Sequence, residues 1–241
     1  MRTNFRKVAA VLLVCAALLG ADGQAEELIL SDDFEREESQ EISDEVGNGW
    51  ETNSANRAAG EKQADLRDGA LHVRMHEKAD HSVSVTHAVE FRNGSVELRF
   101  RLDHEKDSLR INFADLDYKK VHAGHLFQAI ISPKGIDLVD LAGGIMSLET
   151  RQAKLDGSLS KEAARAIVKK ATTSIEAPVE VGVWHQIKLS ISDETLVVEL
   201  EGTTLGEASF PSIAHPTKRK LRLGIQREAV IDDVKVFRGA D

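Results

Sequence analysis

The 241-residue chain contains a single cysteine, Cys15. One thiol excludes an intrachain disulfide framework, so stability must come from a packed core. Aromatic residues make up only 5% of the chain, which leaves few flat faces for stacking a ligand. Of these, Trp50 and Trp184 sit in turn-like and strand-like settings that read as core, and Tyr118 is the best-placed exposed ring. The longest apolar run, Val8 to Leu19, spans 12 residues and falls short of the ~18 needed for a transmembrane helix. Positive charge is also in the minority, with 31 Lys and Arg against 40 Asp and Glu and a net charge of −9. Such a surface repels nucleic acid and anionic lipid. The one basic cluster, Lys218-Arg219-Lys220 with Arg222, reads as a solvated face where a strand begins rather than a polyanion site.

Residues 1–25 have the features of a cleaved export signal. Arg2, Arg6 and Lys7 precede the apolar run, and Gly23-Gln24-Ala25 places small residues where a signal peptidase reads them. A secreted or periplasmic protein is expected. Cleavage after Ala25 would remove Cys15 and leave 28 basic and 39 acidic residues, net −11. The remaining length suits one domain, residues 26–241, built around one sizeable core.

From Gly69 onward, apolar residues recur with period two, the mark of strands with one buried face. Val96, Leu98, Phe100 and Leu102 alternate with Glu97, Arg99, Arg101 and Asp103, while Leu109, Ile111 and Phe113 alternate with Arg110 and Asn112. Leu126 to Ile131 is nearly continuous apolar, and Pro133-Lys134-Gly135 should turn it into a hairpin with Ile136 to Leu141. A helix is expected from about Ser158 to Lys170 with Ser160 as N-cap. It belongs to an insertion, residues 143–178, too short and polar to hold its own core.

Two segments frame the chain: Ser31-Asp32-Asp33-Phe34-Glu35 with Gly47-Asn48-Gly49-Trp50, and Ala229-Val230-Ile231-Asp232-Asp233-Val234-Lys235-Val236-Phe237. Together with Trp184-His185-Gln186-Ile187-Lys188-Leu189, the Leu196–Leu200 strand and the Glu201-Gly202 turn, they resemble secreted β-sandwich domains of the concanavalin A/laminin G-like kind. In these the first and last strands pair. The chain also resembles bacterial domains of the 3-keto-disaccharide hydrolase, family-16-like glycosidase group, across most of residues 28–238. The resemblance implies an all-β, antiparallel two-sheet jelly roll with one inserted α-helix. It also implies a carbohydrate partner, either bound or cleaved as a keto-glycoside. The alternative is a non-catalytic structural or protein-interaction sandwich. Family-16 glycosidases carry E-x-D-x-x-E on one strand; this sequence has no such run, and Asp137 and Asp140, three apart, would face opposite sides of a strand. Conventional two-carboxylate hydrolysis is therefore not expected.

The richest chemical segment is Asn112 to His125, with Asp115, Asp117, Tyr118, His122 and His125 between two strands. Imidazoles and carboxylates together suit either a divalent transition metal or general acid/base work. His122, His125 and Asp115 are the candidate catalytic residues, with Asn112, Asp117, Tyr118 and His215 as ligand contacts. An H-x-x-H spacing on a loop does not force both rings onto one face. At the frame, alternation points Asp232 inward unless its strand bulges, and a buried carboxylate needs a partner. The resemblance implies a structural Ca²⁺ there, held by Asp33, Glu35 and Asp232; hydrogen bonds to turn backbone or to an Arg are the alternative.

Overall fold

The computed structural model describes residues 26–240; the export signal and Cys15 lie outside the described residues. The alternating segments form fifteen strands: β1 (Glu27–Asp32), β2 (Glu51–Thr52), β3 (Ala64–Arg67), β4 (Ala70–Arg74), β5 (Val83–Phe91), β6 (Gly94–Arg101), β7 (Leu109–Ala114), β8 (His125–Ser132), β9 (Gly135–Asp140), β10 (Thr172–Ile175), β11 (Trp184–Ser192), β12 (Thr195–Leu200), β13 (Thr203–Ser209), β14 (Lys218–Ile225) and β15 (Glu228–Arg238). Three α-helices accompany them among the described residues: α1 (Ser54–Arg57), α2 (Leu148–Leu155) and α3 (Lys161–Lys170).

All strand pairs are antiparallel and make two stacked sheets. One runs β13-β12-β11-β6-β15-β4-β3, with β1 added alongside β15; the other runs β10-β9-β8-β7-β14-β5-β2. Leu98, Phe100, Ile187, Leu189 and Ile231 of the first sheet meet Ile111, Phe113, Phe127, Leu221 and Leu223 of the second in a single core. Each of these large side chains contributes roughly 1.5–3 kcal/mol on leaving water, so the sandwich needs no covalent staple.

The terminal strands lie side by side, as the framing motifs imply, with Asp32 opposite Val234 and Leu28 opposite Phe237. Asp32 explains the first motif. Its carboxylate is buried and accepts the Phe34 N–H (2.9 Å), both Arg36 Nη groups (2.6 and 3.0 Å), Asn48 Nδ2 (2.9 Å) and Trp50 Nε1 (2.8 Å). Gly47, Asn48 and Gly49 all take left-handed backbone conformations, which aims Asn48 and Trp50 back at that carboxylate. Burial pulls the Asp32 pKa up, but the donors from Arg36, Asn48, Phe34 and Trp50 outweigh it and hold it below the usual range.

Three local expectations need correction. The register of β15 against β6 shifts between Asp232 and Lys235, and Asp233 adopts φ 49°. This bulge turns Asp232 out of the core between buried Ile231 and Val234. Trp184 is only half-buried, lying on the outer face of its sheet beneath the Arg99 and Arg101 guanidiniums at 5.0 and 5.4 Å. The 143–178 segment holds two helices and the edge strand β10, rather than one helix. Ser160 caps α3 as expected, accepting the Ala163 N–H at 3.0 Å, and Ser147 caps α2 in the same way.

Replacing Asp32 with Ala should lower unfolding free energy by about 3–5 kcal/mol, because it strands the Arg36 and Trp50 donors. Trp50→Phe, which removes one donor, should cost about 1 kcal/mol. Denaturant midpoints measure both; equal losses would show that the ring, not the carboxylate network, holds the frame.

Candidate functional site

The second sheet turns its solvent face into a cleft of about 580 Å³. Its floor follows from register. Thr86, Arg222, Asn112 and Gln128 stand in one row across β5, β14, β7 and β8, and Ser84, Gly224 and Arg110 form the next. These are the polar positions of strands whose alternate residues (Val85, Leu223, Ile111, Ala129) enter the core. Gly224 brings no side chain, which deepens the floor between Ser84 and Arg110. Leu141, Ile145 and Met146 build an apolar wall; Arg57, His81, His122 and Glu51 also line the cleft.

His122 and His125 both reach this space. His125 Nδ1 is 3.0 Å from Asn112 Oδ1, and its Nε2 is 2.9 Å from Arg222 Nη1. A guanidinium can only donate, so Nε2 accepts and Nδ1 carries the proton to Asn112. Burial, then the charge of Arg222 and the nearby His122, push the pKa down to about 3. His125 is thus a neutral orienting group with both nitrogens engaged. His122 is held by its backbone, which donates to Met146 O at 2.8 Å, and its ring stands free in the cleft. Burial, Arg151 of α2 and Arg222 all lower its pKa, which keeps its imidazole neutral at pH 7.

The other sequence candidates collect next door. Asp115, Asp117, Tyr118 and His215 do not line the cleft. Asp115 is buried and accepts His215 Nε2 (2.9 Å), Thr217 Oγ1 (2.8 Å), Arg219 Nη1 (3.1 and 2.9 Å) and the Asp117 N–H (2.9 Å). Tyr118 packs on His215 with ring centroids 4.5 Å apart. Every oxygen of Asp115 is committed to this latch between the β7–β8 loop and the segment entering β14. It holds structure and does not converge with His122 as a catalytic carboxylate would. Gly124 is required at the latch: it has φ 68°, and a Cβ there would lie 2.2 Å from Asp115 O.

The basic cluster departs from its expected solvation. Lys218 is fully buried, with Nζ donating to Arg92 O (2.5 Å) and His215 O (3.1 Å). Burial, and Arg92 nearby, push its pKa down to about 8. Arg222 sits in the cleft floor. By sequence alone Arg222 falls on a solvated face with the rest of the basic cluster, and Arg110 counts only as a polar-face residue; the available signal is Arg222 alternating with Leu221 and Leu223.

Neither expected metal has a fitting donor set. The histidine loop offers no pair of free nitrogens, since His125 uses both. At the frame, Asp33 and Glu35 are exposed, and Asp232 receives Arg99 (3.3 Å) and its neighbour's N–H (2.7 Å). Burial, then the charges of Asp233 and Glu35, raise its pKa despite Arg99. Among the described residues, the group whose oxygens do converge is Glu38, Glu41 and Asp65, and the Lys62 ammonium already fills it at 2.6 Å from each.

The Asp115 latch predicts a pH dependence. Burial raises its pKa, but His215, Asp117, Thr217 and Arg219 overturn this and hold it well below the carboxylate range. A depressed folded pKa contributes stability above the unfolded value of about 3.9, which is lost as pH falls toward the folded value. Asp115→Asn should therefore cost on the order of 3 kcal/mol at pH 7, and the gap to wild type should narrow below about pH 4. Urea midpoints at pH 7 and pH 3 test this; an identical gap at both would remove the charge from the account.

Neither a family model nor a curated protein matches the sequence. Solved structures share its fold at low identity. The laminarinase from Rhodothermus marinus is 12% identical with a TM-score of 0.60, covering 90% of this chain and 99% of its own. Porphyranase B from Zobellia galactanivorans is 10% identical with a TM-score of 0.60, covering 97% and 100%. The Emp47p carbohydrate recognition domain is 12% identical with a TM-score of 0.54, covering 87% and 95%. The architecture is the concanavalin A-like jelly roll, as the framing motifs imply.

Proposed function

We propose that this is an exported carbohydrate-handling protein whose concave cleft binds a glycan. The observation that carries the reading is the cleft itself: polar rows of Ser84, Thr86, Arg110, Asn112, Gln128 and Arg222 face an apolar wall of Leu141, Ile145 and Met146. Hydroxyl-rich rings need side-chain donors and acceptors on their edges and an apolar contact on their C–H faces. Here aliphatic residues supply that contact, since no Phe, Tyr or Trp lines the cleft. The names of the structural neighbours, two glycan-degrading enzymes and a carbohydrate recognition domain, support the same reading.

A second reading, keto-glycoside cleavage, is favoured by the free neutral imidazole of His122 in the electrostatic reach of Arg222. His122 would take the proton α to the sugar ketone, leaving enolate charge on the ketone oxygen near a guanidinium. The glycosidic C–O bond would then break, and the imidazolium would return the proton to the departing oxygen. Among the described residues, Glu51 is the one carboxylate lining the cleft, so the paired-carboxylate route is missing its second member.

Ser84→Trp should fill the floor and weaken oligosaccharide binding by more than about tenfold, a 1.4 kcal/mol change, with the melting temperature unchanged. Calorimetric titration against an oligosaccharide panel reads this; unaltered affinity would move the site elsewhere. On a 3-keto-disaccharide, His122→Ala should reduce kcat about 10²–10⁴-fold, and unchanged turnover would end the second reading.

A further inference from the structure

The floor of the cleft holds more positive charge than a neutral sugar would use. Arg110 and Arg222 both stand in it, with Arg57 also lining it, the neutral His122 and His125 beside them, and Glu51 as the single acid among the described lining residues. Glu51, opposite Thr86 at the end of the Arg222 row, pairs with Lys220 at 3.5 Å, and Arg57 pairs at the surface with Asp80. Among the described residues, no carboxylate pairs with Arg110 or Arg222. Arg110 donates to the neutral Gln226 amide (2.9 Å) and Arg222 to the neutral His125 (2.9 Å). Arg110 Nη1 and Arg222 Nε are buried with no hydrogen-bond partner. The two side chains lie one step apart on neighbouring strands, since Arg222 pairs with Asn112 and Gly224 with Arg110.

Burying a cation without an anion is unfavourable, and an unmade charged hydrogen bond more so. In a chain with 40 acidic residues, a carboxylate at any neighbouring floor position would have relieved both. Ser84, Thr86, Asn112 and Gln128 stand there instead. Arg110 Nη1 and Arg222 Nε are closed to solvent as well, so an outside anion would meet Arg110 and Arg222 where they line the cleft, with no carboxylate of the described residues against either.

We propose that the cleft recognises an acidic glycan, one whose ring carries a carboxylate or sulfate group held between Arg110 and Arg222. The inference rests on the glycan reading above and narrows its substrate class. Planar guanidinium forks match both oxyanions, so carboxylate and sulfate share one recognition chemistry. Gln128 and Thr86, in the same row as Arg222, are left to hydrogen-bond ring hydroxyls.

The test is calorimetric titration of the intact protein with four probes: trigalacturonate, a sulfated carrageenan oligosaccharide, laminaritriose and sodium sulfate. One acidic oligosaccharide should bind at least about tenfold more tightly than laminaritriose, given the strength of charge-assisted hydrogen bonds, and should weaken as salt rises. Whichever acidic probe binds identifies carboxylate or sulfate as the source. Arg110→Gln and Arg222→Gln should each abolish the preference, and Arg110→Gln should do so with a melting temperature equal to or above wild type, because it removes an uncompensated buried charge. Equal, salt-insensitive binding of laminaritriose would overturn the inference and leave the glycan reading standing. Sodium sulfate binding as tightly as the sulfated oligosaccharide would overturn it as well, by removing the sugar. No binding of any oligosaccharide by the folded protein would overturn both.

Discussion

The buried carboxylate of Asp115 is the constraint on which the cleft depends. It draws donors from its own loop and from His215, Thr217 and Arg219, about a hundred residues later in the chain. Those contacts fix where the segment before β14 meets the β7–β8 connection. The register they protect sets Arg222 opposite Asn112 and brings its guanidinium to His125. A one-residue slip in β14 would send Arg222 into the core and Leu223 into the cleft. The latch, outside the cleft, therefore decides what the cleft contains.

Asp32 plays the same part at the end of β1, gathering donors from a turn, a loop and an indole. Both hubs show one solution to one problem. A chain without disulfides must hold its long connections by something other than covalent bonds, and a buried carboxylate with several donors fixes several segments at once. Geometry of this kind suits a rigid binding surface, because floor residues on strands keep their spacing better than residues on loops.

Much of the sandwich is legible in the sequence because its physics is local. Alternation at Val96–Leu102 and Leu109–Phe113 gives strands, Pro133-Lys134-Gly135 gives a hairpin, and the framing motifs give the pairing of the first and last strands. What the sequence concealed is non-local. Period two says that Arg110 and Arg222 share the face away from the core, but not that this face is concave or that no acid meets them. Lys218, Lys220 and Arg222 look alike in sequence, while only tertiary packing buries the first and places the last in a cleft. Asp115 looked catalytic because it lies near His122 in sequence, yet most of its partners come from the segment that enters β14. The turn of Asp232 away from the core required one extra residue in the strand, and nothing in the local pattern reveals a bulge.

Charge distribution links these observations to function. The chain is acidic overall, so at a distance it repels an anionic polymer. Screening confines that repulsion to about 8–10 Å at ordinary ionic strength, whereas guanidiniums within the cleft act at hydrogen-bond range, where salt screens them less. Acidic ligands would thus gain little from long-range steering and much from contact. Recognition built this way favours selectivity over rapid capture: a neutral glycan leaves Arg110 and Arg222 unmatched. Only a ligand that offers an oxyanion in the spacing of the two arginines, with hydroxyls for Thr86 and Gln128, satisfies the whole floor.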